Sequence, residues 1–258
     1  MEKCELINLS KNLMEETLYA RAYKDILDQY IEIRSTFENE LKLSATFHLI
    51  GNMALVEALT MRLARLYDTD DKSAGLGFLL EEAYRNIDYF PKNRGEHSYE
   101  CDGQTYTFIA PLTHTLRECE KCYFKERVQQ EETITNLFGL SSNISIEVTI
   151  NEFVEMYKKR FSSLRKERKN LVTQRNKIYA HNDRETNFDF SDIYAKNPLF
   201  YNDIEKLLEF AEDFTAFCYE YLSGSYAMQK FSNIDDLEST LLYARKGLQQ
   251  SLNEYAND

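Results

Sequence analysis

Proline and glycine are scarce in this chain. Three prolines and eight glycines in 258 residues are too few for a sheet-rich architecture, because tight hairpins and strand corners draw on those residues. No apolar run approaches the roughly 18 residues that a membrane-spanning helix requires, so no membrane association is expected. The opening Met1-Glu2-Lys3-Cys4-Glu5 lacks the basic start and apolar stretch of a secretory signal, and a cytoplasmic location is expected. Cysteine is neither abundant nor patterned. Five thiols, an odd number and widely spaced, read as reduced side chains rather than a disulfide framework. There is no Walker loop, no G-x-G-x-x-G and no H-E-x-x-H, the usual marks of nucleotide binding and zinc-protease chemistry. His97, Cys101, His114 and the pair Cys119 and Cys122 are spaced too irregularly for a structural zinc site, so packed thiols are the stronger reading. No metal and no cofactor is expected.

What remains is a helical protein. Hydrophobic residues make up 43% and charged ones 29%, as in globular domains, and the length suffices for a sizeable core. Apolar residues recur at spacings of three and four through about 11–39, 201–222 and 236–255, which predicts amphipathic helices. The segment 41–67 is the most apolar and is expected to be a central helix buried on most sides, with His48 a hydrogen-bonded core histidine. Further helices are expected over about 75–90, 114–137 and 150–180, the last capped by Thr149 or Asn151. Ser98 to Phe108 alternates about Asp102-Gly103 and predicts a small inserted hairpin. Residues 183–200 read as irregular. The chain is expected to form one helical domain over 1–258, with further helices at 11–39 and 234–255 towards its ends.

Charge is unevenly placed. The chain carries a net −12, yet Glu155 to Lys177 holds nine bases against two acids, a local +7 that leaves −19 for the rest. Within this stretch Lys158, Lys159, Arg165, Lys166, Arg168, Lys169 and Lys177 are the candidate contacts to a nucleic-acid backbone. A solvated helix face, or a docking surface for an acidic protein, is the plainer alternative. The stretch leads into Leu171-Val-Thr-Gln-Arg175-Asn176-Lys-Ile-Tyr179-Ala-His181-Asn-Asp183. Arg175 offers a planar, permanently charged fork matched to phosphate oxygens. His181 exchanges a proton near neutral pH, and Asn176 both donates and accepts hydrogen bonds.

Arg175-Asn176-x4-His181 resembles the signature of the HEPN superfamily, all-helical domains of prokaryotic defence and toxin–antitoxin systems and of many ribonucleases. With Leu63-Ala-Arg-Leu-Tyr-Asp68 it looks most like the abortive-infection U branch, a resemblance over about 40–225 that makes this stretch the HEPN-like core between the flanking helices. The resemblance implies an all-α, HEPN-like bundle and a metal-independent endoribonuclease in which a ribose 2′-hydroxyl attacks the adjacent phosphorus. It makes Arg175, Asn176 and His181 catalytic, with Asp183 and Tyr179 supporting. It further implies an RNA substrate, tRNA among the candidates, a homodimer, and an antitoxin or other defence protein as partner. The alternative is a non-catalytic helical module that binds RNA or protein. Some toxins of the superfamily carry a modifiable tyrosine two positions after the motif histidine; here that position is Asp183. On an ideal helix Arg175 and His181 diverge by about 120°. Either the regular helix ends before His181, or two copies contribute to one cleft.

Overall fold

The structure, a computed structural model, describes residues 1–70, 72–92, 95–110, 114–115, 118–138, 145–146, 148–180, 190–227, 231 and 236–255. Its helices are α1 (Lys3–Ile33), α2 (Glu38–Lys42), α3 (Ala45–Leu66), α4 (Leu76–Arg85), α5 (Glu118–Lys121), α6 (Lys125–Phe138), α7 (Ile150–Ser163), α8 (Arg165–Gln174), α9 (Phe190–Lys196), α10 (Tyr201–Ser223) and α11 (Asp236–Tyr255). Strands β1 (Gly95–Cys101) and β2 (Gln104–Ala110) form an antiparallel hairpin, and the two-residue strands β3 (His114–Thr115) and β4 (Ser145–Ile146) pair antiparallel. The fold is all-α with a small hairpin, as the glycine and proline counts predict.

The chain divides into two compact units. The first comprises 1–14, 68–166 and 209–227, and the second 15–67, 167–208 and 228–258.

The core of the first unit is aromatic. Phe153 and Tyr157 on α7 meet Phe210, Phe214 and Phe217 on α10, with Tyr157 and Phe214 ring centroids 5.0 Å apart and Phe153 and Phe217 5.4 Å apart. These residues recur every three or four positions on their helices, so each helix turns one ring-bearing stripe inward. Two acids are buried with them, and both are satisfied. Tyr157 donates its hydroxyl to Glu120 (3.1 Å), and Arg160 donates to Asp213 (2.9 Å). Burial pushes the Cys218 thiol well up, so it stays protonated. The hairpin is closed by Asp102 and Gly103, both at positive φ (52° and 74°), the geometry of a two-residue turn whose twist matches its strands. At Gly224, which ends α10 with φ +70°, a Cβ would lie 2.2 Å from the Phe108 ring, so only glycine lets the hairpin pack there. Cys4 and Cys101 are joined as a disulfide across 97 residues. This corrects the expectation of reduced thiols: folding brings the first turn of α1 to the end of β1, a proximity that spacing cannot reveal.

The second unit buries Leu59, Leu63 and Leu66 of α3 with Leu171, Leu207 and Leu208, while Ile33, Phe37 and Leu241 form a further cluster. Lys24 is 2% exposed. Desolvation opposes its charge, but Asp28 at 2.7 Å, Tyr201 and Glu205 hold its pKa above the ordinary lysine value.

Several predicted helices take different bounds. The stretch 150–180 is not one helix. It breaks at Leu164 (φ −83°, ψ 12°), where Ser163 Oγ donates to the Arg160 carbonyl at 2.7 Å and competes with the backbone ladder. Thr149 caps α7 in a reciprocal box with Glu152. Residues 114–137 divide among β3, α5 and α6, and 183–200 contain α9, closed by Asn197, whose amides donate to the Ile193 carbonyl. The largest departure concerns α3. Its second half buries Leu59, Thr60, Leu63, Ala64 and Leu66, but Phe47, Leu49, Ile50 and Met53 are each 60–71% exposed. The segment expected to be buried on most sides is bare along much of its first half.

Candidate functional site

The candidate site is held by α8. Leu171 is fully buried, and on the same side Asn170 and Gln174, four residues apart, face two backbone carbonyls. Asn170 Nδ2 donates to the Pro198 carbonyl and Gln174 Nε2 to the Asn197 carbonyl, both at 2.7 Å. Two amide side chains at i and i+4 thereby clamp the segment after α9 to the helix that carries the motif. Sequence reading passed over both residues. The signal was the interrupted apolar face around Lys166 to Asn170, where a buried amide stood in a position that periodicity assigns to an aliphatic side chain.

Immediately after Gln174 the helix changes its winding. Arg175–Ala180 is π-helical, a form that is rare, occurs mostly as single turns and is concentrated at functional sites. The ideal 100° step therefore does not hold across the motif, and the 120° divergence drawn from it does not apply. The regular α-helix ends before His181, one of the two arrangements expected above. Arg175 and Asn176 are half-buried in this turn, and Lys177 is exposed. Tyr179 belongs to the turn by its backbone. His181 and Asp183 lie outside the described residues.

The π turn packs against α3, whose end carries the second motif word. Tyr67 is fully buried and donates its hydroxyl to the Leu207 carbonyl at 2.6 Å. Arg62 and Arg65 converge on Glu16, at 2.8 and 3.1 Å. Tyr67 and Arg65 of that word, with Arg62 just before it, thus brace the helix against which the turn packs.

The basic candidates fall on α7 and α8. Lys159, Arg165, Lys166 and Lys169 are exposed like Lys177, and Arg168 is half-buried. Lys158 is half-buried over the Tyr84 ring, 3.0 Å from its centroid, with Glu155 at 3.3 Å. Arg160, counted in the local +7, is buried against Asp213 and does not face solvent, so the charge that this stretch offers outward is smaller than its composition. Among the described residues the group of His, Cys, Asp and Glu with ligand atoms close together is Cys4, Cys101 and Asp102. Its cysteines are already bonded to each other, and Cys101 is thereby removed from the zinc set considered with Cys122.

An all-helical chain whose arginine and asparagine open a π turn, with a histidine five residues beyond the asparagine, has the make-up of a HEPN protein. The chain matches the AbiU2 family of HEPN proteins over residues 3–239, and it belongs to that family. The matched span exceeds the resemblance at about 40–225, taking in α1. It places the chain among abortive-infection, defence-related HEPN proteins. No curated protein and no solved structure matches it. Among the described residues no helix is long and apolar enough to cross a membrane.

Proposed function

We propose that this protein is a metal-independent endoribonuclease of a phage-defence or toxin–antitoxin system, acting as a homodimer on RNA, with tRNA a candidate substrate. The observation that carries this reading is the π turn at Arg175–Ala180, which continues the helix that Asn170 and Gln174 pin to the segment after α9, in a chain of the AbiU2 family.

In the proposed reaction the ribose 2′-oxygen forms a bond to the adjacent phosphorus as the bond from phosphorus to the 5′-oxygen breaks. A histidine at position 181 takes the 2′-hydroxyl proton or supplies one to the leaving oxygen. Arg175 holds the phosphate and opposes the charge that builds on it. Asn176 orients the histidine or donates to the phosphate, and Asp183 and Tyr179 support them. The motif supplies proton transfer and charge stabilisation from side chains, so no step calls for a metal. The exposed lysines and arginines of α7 and α8 provide a backbone contact of the salt-sensitive kind. An antitoxin or another defence protein is the partner that would restrain such an activity, and the cytoplasm is where it would meet its RNA.

The test is RNA incubated with purified protein in EDTA. The expected products end in a 2′,3′-cyclic phosphate and a 5′-hydroxyl, and Arg175→Ala and His181→Ala should abolish cleavage while preserving helical content. A strict magnesium requirement, 5′-phosphate ends, or full activity in both folded variants would overturn the reading. The second reading, a non-catalytic assembly module, is favoured by one observation, the bare apolar face of α3.

A further inference from the structure

Two adjacent aromatic side chains stand on the surface close to the motif. Phe200, just before α10, is 65% exposed, and Tyr201, its first residue, is 55% exposed. A single exposed ring is ordinary, but these two sit on a braced backbone. Gln174 and Asn170 hold the Asn197 and Pro198 carbonyls at 2.7 Å, so the chain is pinned two residues before Phe200. The Phe200 N–H donates to Asp203 Oδ2 at 3.0 Å, and its carbonyl accepts from the N–H groups of Asp203 and Ile204. Those bonds fix the start of α10. Tyr201 is braced by a cation. Lys24, 2% exposed, places Nζ 3.5 Å from the ring centroid, and Asp28 and Glu205 hold that ammonium at 2.7 and 3.4 Å. Because the ammonium is buried, the exposed part of the ring lies away from it.

The rings are tied to the candidate site. Gln174, which holds Asn197, is the residue immediately before Arg175. Three steps along the chain lead from Asn197 to Phe200, a reach of at most about 11 Å.

We infer that Phe200 and Tyr201 form a base-stacking subsite, which takes unpaired bases of a single-stranded RNA whose phosphate lies at Arg175. The inference rests on the nuclease reading and deepens it by naming the surface that holds the bases beside the phosphate. Three observations select this occupant. Stacking requires flat rings on a backbone that stays in place, and both rings have one. Lys169 on α8 and Lys177 in the π turn are exposed, cations of the kind that follow a phosphate chain while its bases lie on rings. The acids beside the rings are already engaged, Asp203 by the Phe200 N–H and Lys206, and Glu205 by Arg21 and Lys24. A duplex keeps its base faces inside its own stack, so rings of this kind call for unpaired bases. A protein partner would also cover them, but the lysines and the adjoining motif favour nucleic acid.

The test reads binding apart from cleavage. It uses the full chain and a labelled 2′-O-methyl oligonucleotide of about 12 residues, which has no 2′-hydroxyl to attack phosphorus. Fluorescence anisotropy should show tighter binding of this single strand than of an abasic strand of equal length or of a duplex. Phe200→Ala and Tyr201→Ala should each weaken the single strand about 10-fold and leave the abasic strand unchanged. Phe200→Leu, still apolar, should behave like Phe200→Ala, whereas Phe200→Trp should bind as well as the unmodified protein. Lys169→Gln should instead weaken both strands alike. Tyr243→Ala, at an exposed ring of α11 (73%), should change nothing. Tyr201 also covers Lys24, so if Tyr201→Ala loses helical content, a photoreactive thiouridine probe on the unmodified protein replaces it, with attachment expected at Phe200 or Tyr201. Equal affinity of the unmodified protein for base-bearing and abasic strands overturns the inference and leaves the rings to a protein partner. So does unchanged affinity in the folded ring variants, or attachment of the probe elsewhere. RNA bound in this way but left uncut in EDTA would support the subsite and refute the nuclease. Cleavage by a protein that does not distinguish the two strands would support the nuclease and refute the subsite.

Discussion

α10 and α3 exchange the roles that composition assigns them. α10 carries six acids among its 23 residues, yet Leu207, Leu208, Phe210, Ala211, Phe214, Phe217, Cys218 and Leu222 are buried along one stripe. α3 has a run of fourteen uncharged residues at and before its middle, and that run is where the helix is bare. Pattern explains the first case: an amphipathic stripe needs one covered face, and acids on the other face cost nothing in water. In the second case the apolar residues surround the helix, and one chain does not supply enough neighbours to cover them all. The amount of apolar surface in a helix therefore says how much must be covered, not by which molecule.

The sharpest test of this contrast is a matched pair of truncations. Phe214→Ala removes a ring packed on Tyr157 and Phe210 and should cost about 3–5 kcal/mol in denaturant unfolding. Ile50→Ala, at a position 60% exposed, should change monomer stability by no more than about 0.5 kcal/mol. Similar losses of monomer stability in both would break the comparison. Next in size is Asp213→Ala, which removes the carboxylate paired with the buried Arg160 and should cost about 3–5 kcal/mol. Replacing Arg160 and Asp213 together with apolar residues should restore much of that loss, because the cost lies in the charge that has lost its carboxylate.

Within the second unit, Gln174→Leu and Asn170→Leu strip partners from the Asn197 and Pro198 carbonyls. About 1–3 kcal/mol is expected for each, together with faster amide exchange in residues 190–198; unchanged exchange would show that the clamp does not hold that segment. The smallest effect belongs to the surface of the first unit. Thr149→Ala should cost about 1 kcal/mol through the lost cap of α7. Arg127 beside Glu152, assisted by Thr149, holds the Glu152 carboxyl below its ordinary value. A depressed carboxylate stabilises the fold above its unfolded pKa, and the benefit disappears as pH falls through the folded one. Glu152→Gln should therefore be destabilising at neutral pH and close to silent at strongly acid pH. A cost that stays constant with pH would show that the ion pair contributes nothing.

Much of the fold was legible because helices announce themselves locally. The stripes of α1, α10 and α11, the Thr149 cap and the Asp102-Gly103 turn all depend on residues within a few positions of one another. The Arg175, Asn176 and His181 motif was legible for the same reason, and it pointed to the family that residues 3–239 match. The clamp at Asn170 and Gln174 was not, since its acceptors are carbonyls 28 and 23 residues away. The break at Leu164 was hidden as well: a serine that bonds back to its own helix looks the same in sequence as one that faces water.

By itself, then, the sequence determined the helical class, the hairpin turn, the motif and the uneven charge, all of which follow from spacing and short-range sterics. Tertiary structure alone decided that Cys4 meets Cys101, that Arg160 turns inward to Asp213, that the motif begins in a π turn and that half of α3 stays uncovered. Each of these depends on which distant surfaces meet. Chain spacing does not encode that, because the free energy of burial depends on the neighbour supplied and not on the residue that seeks one.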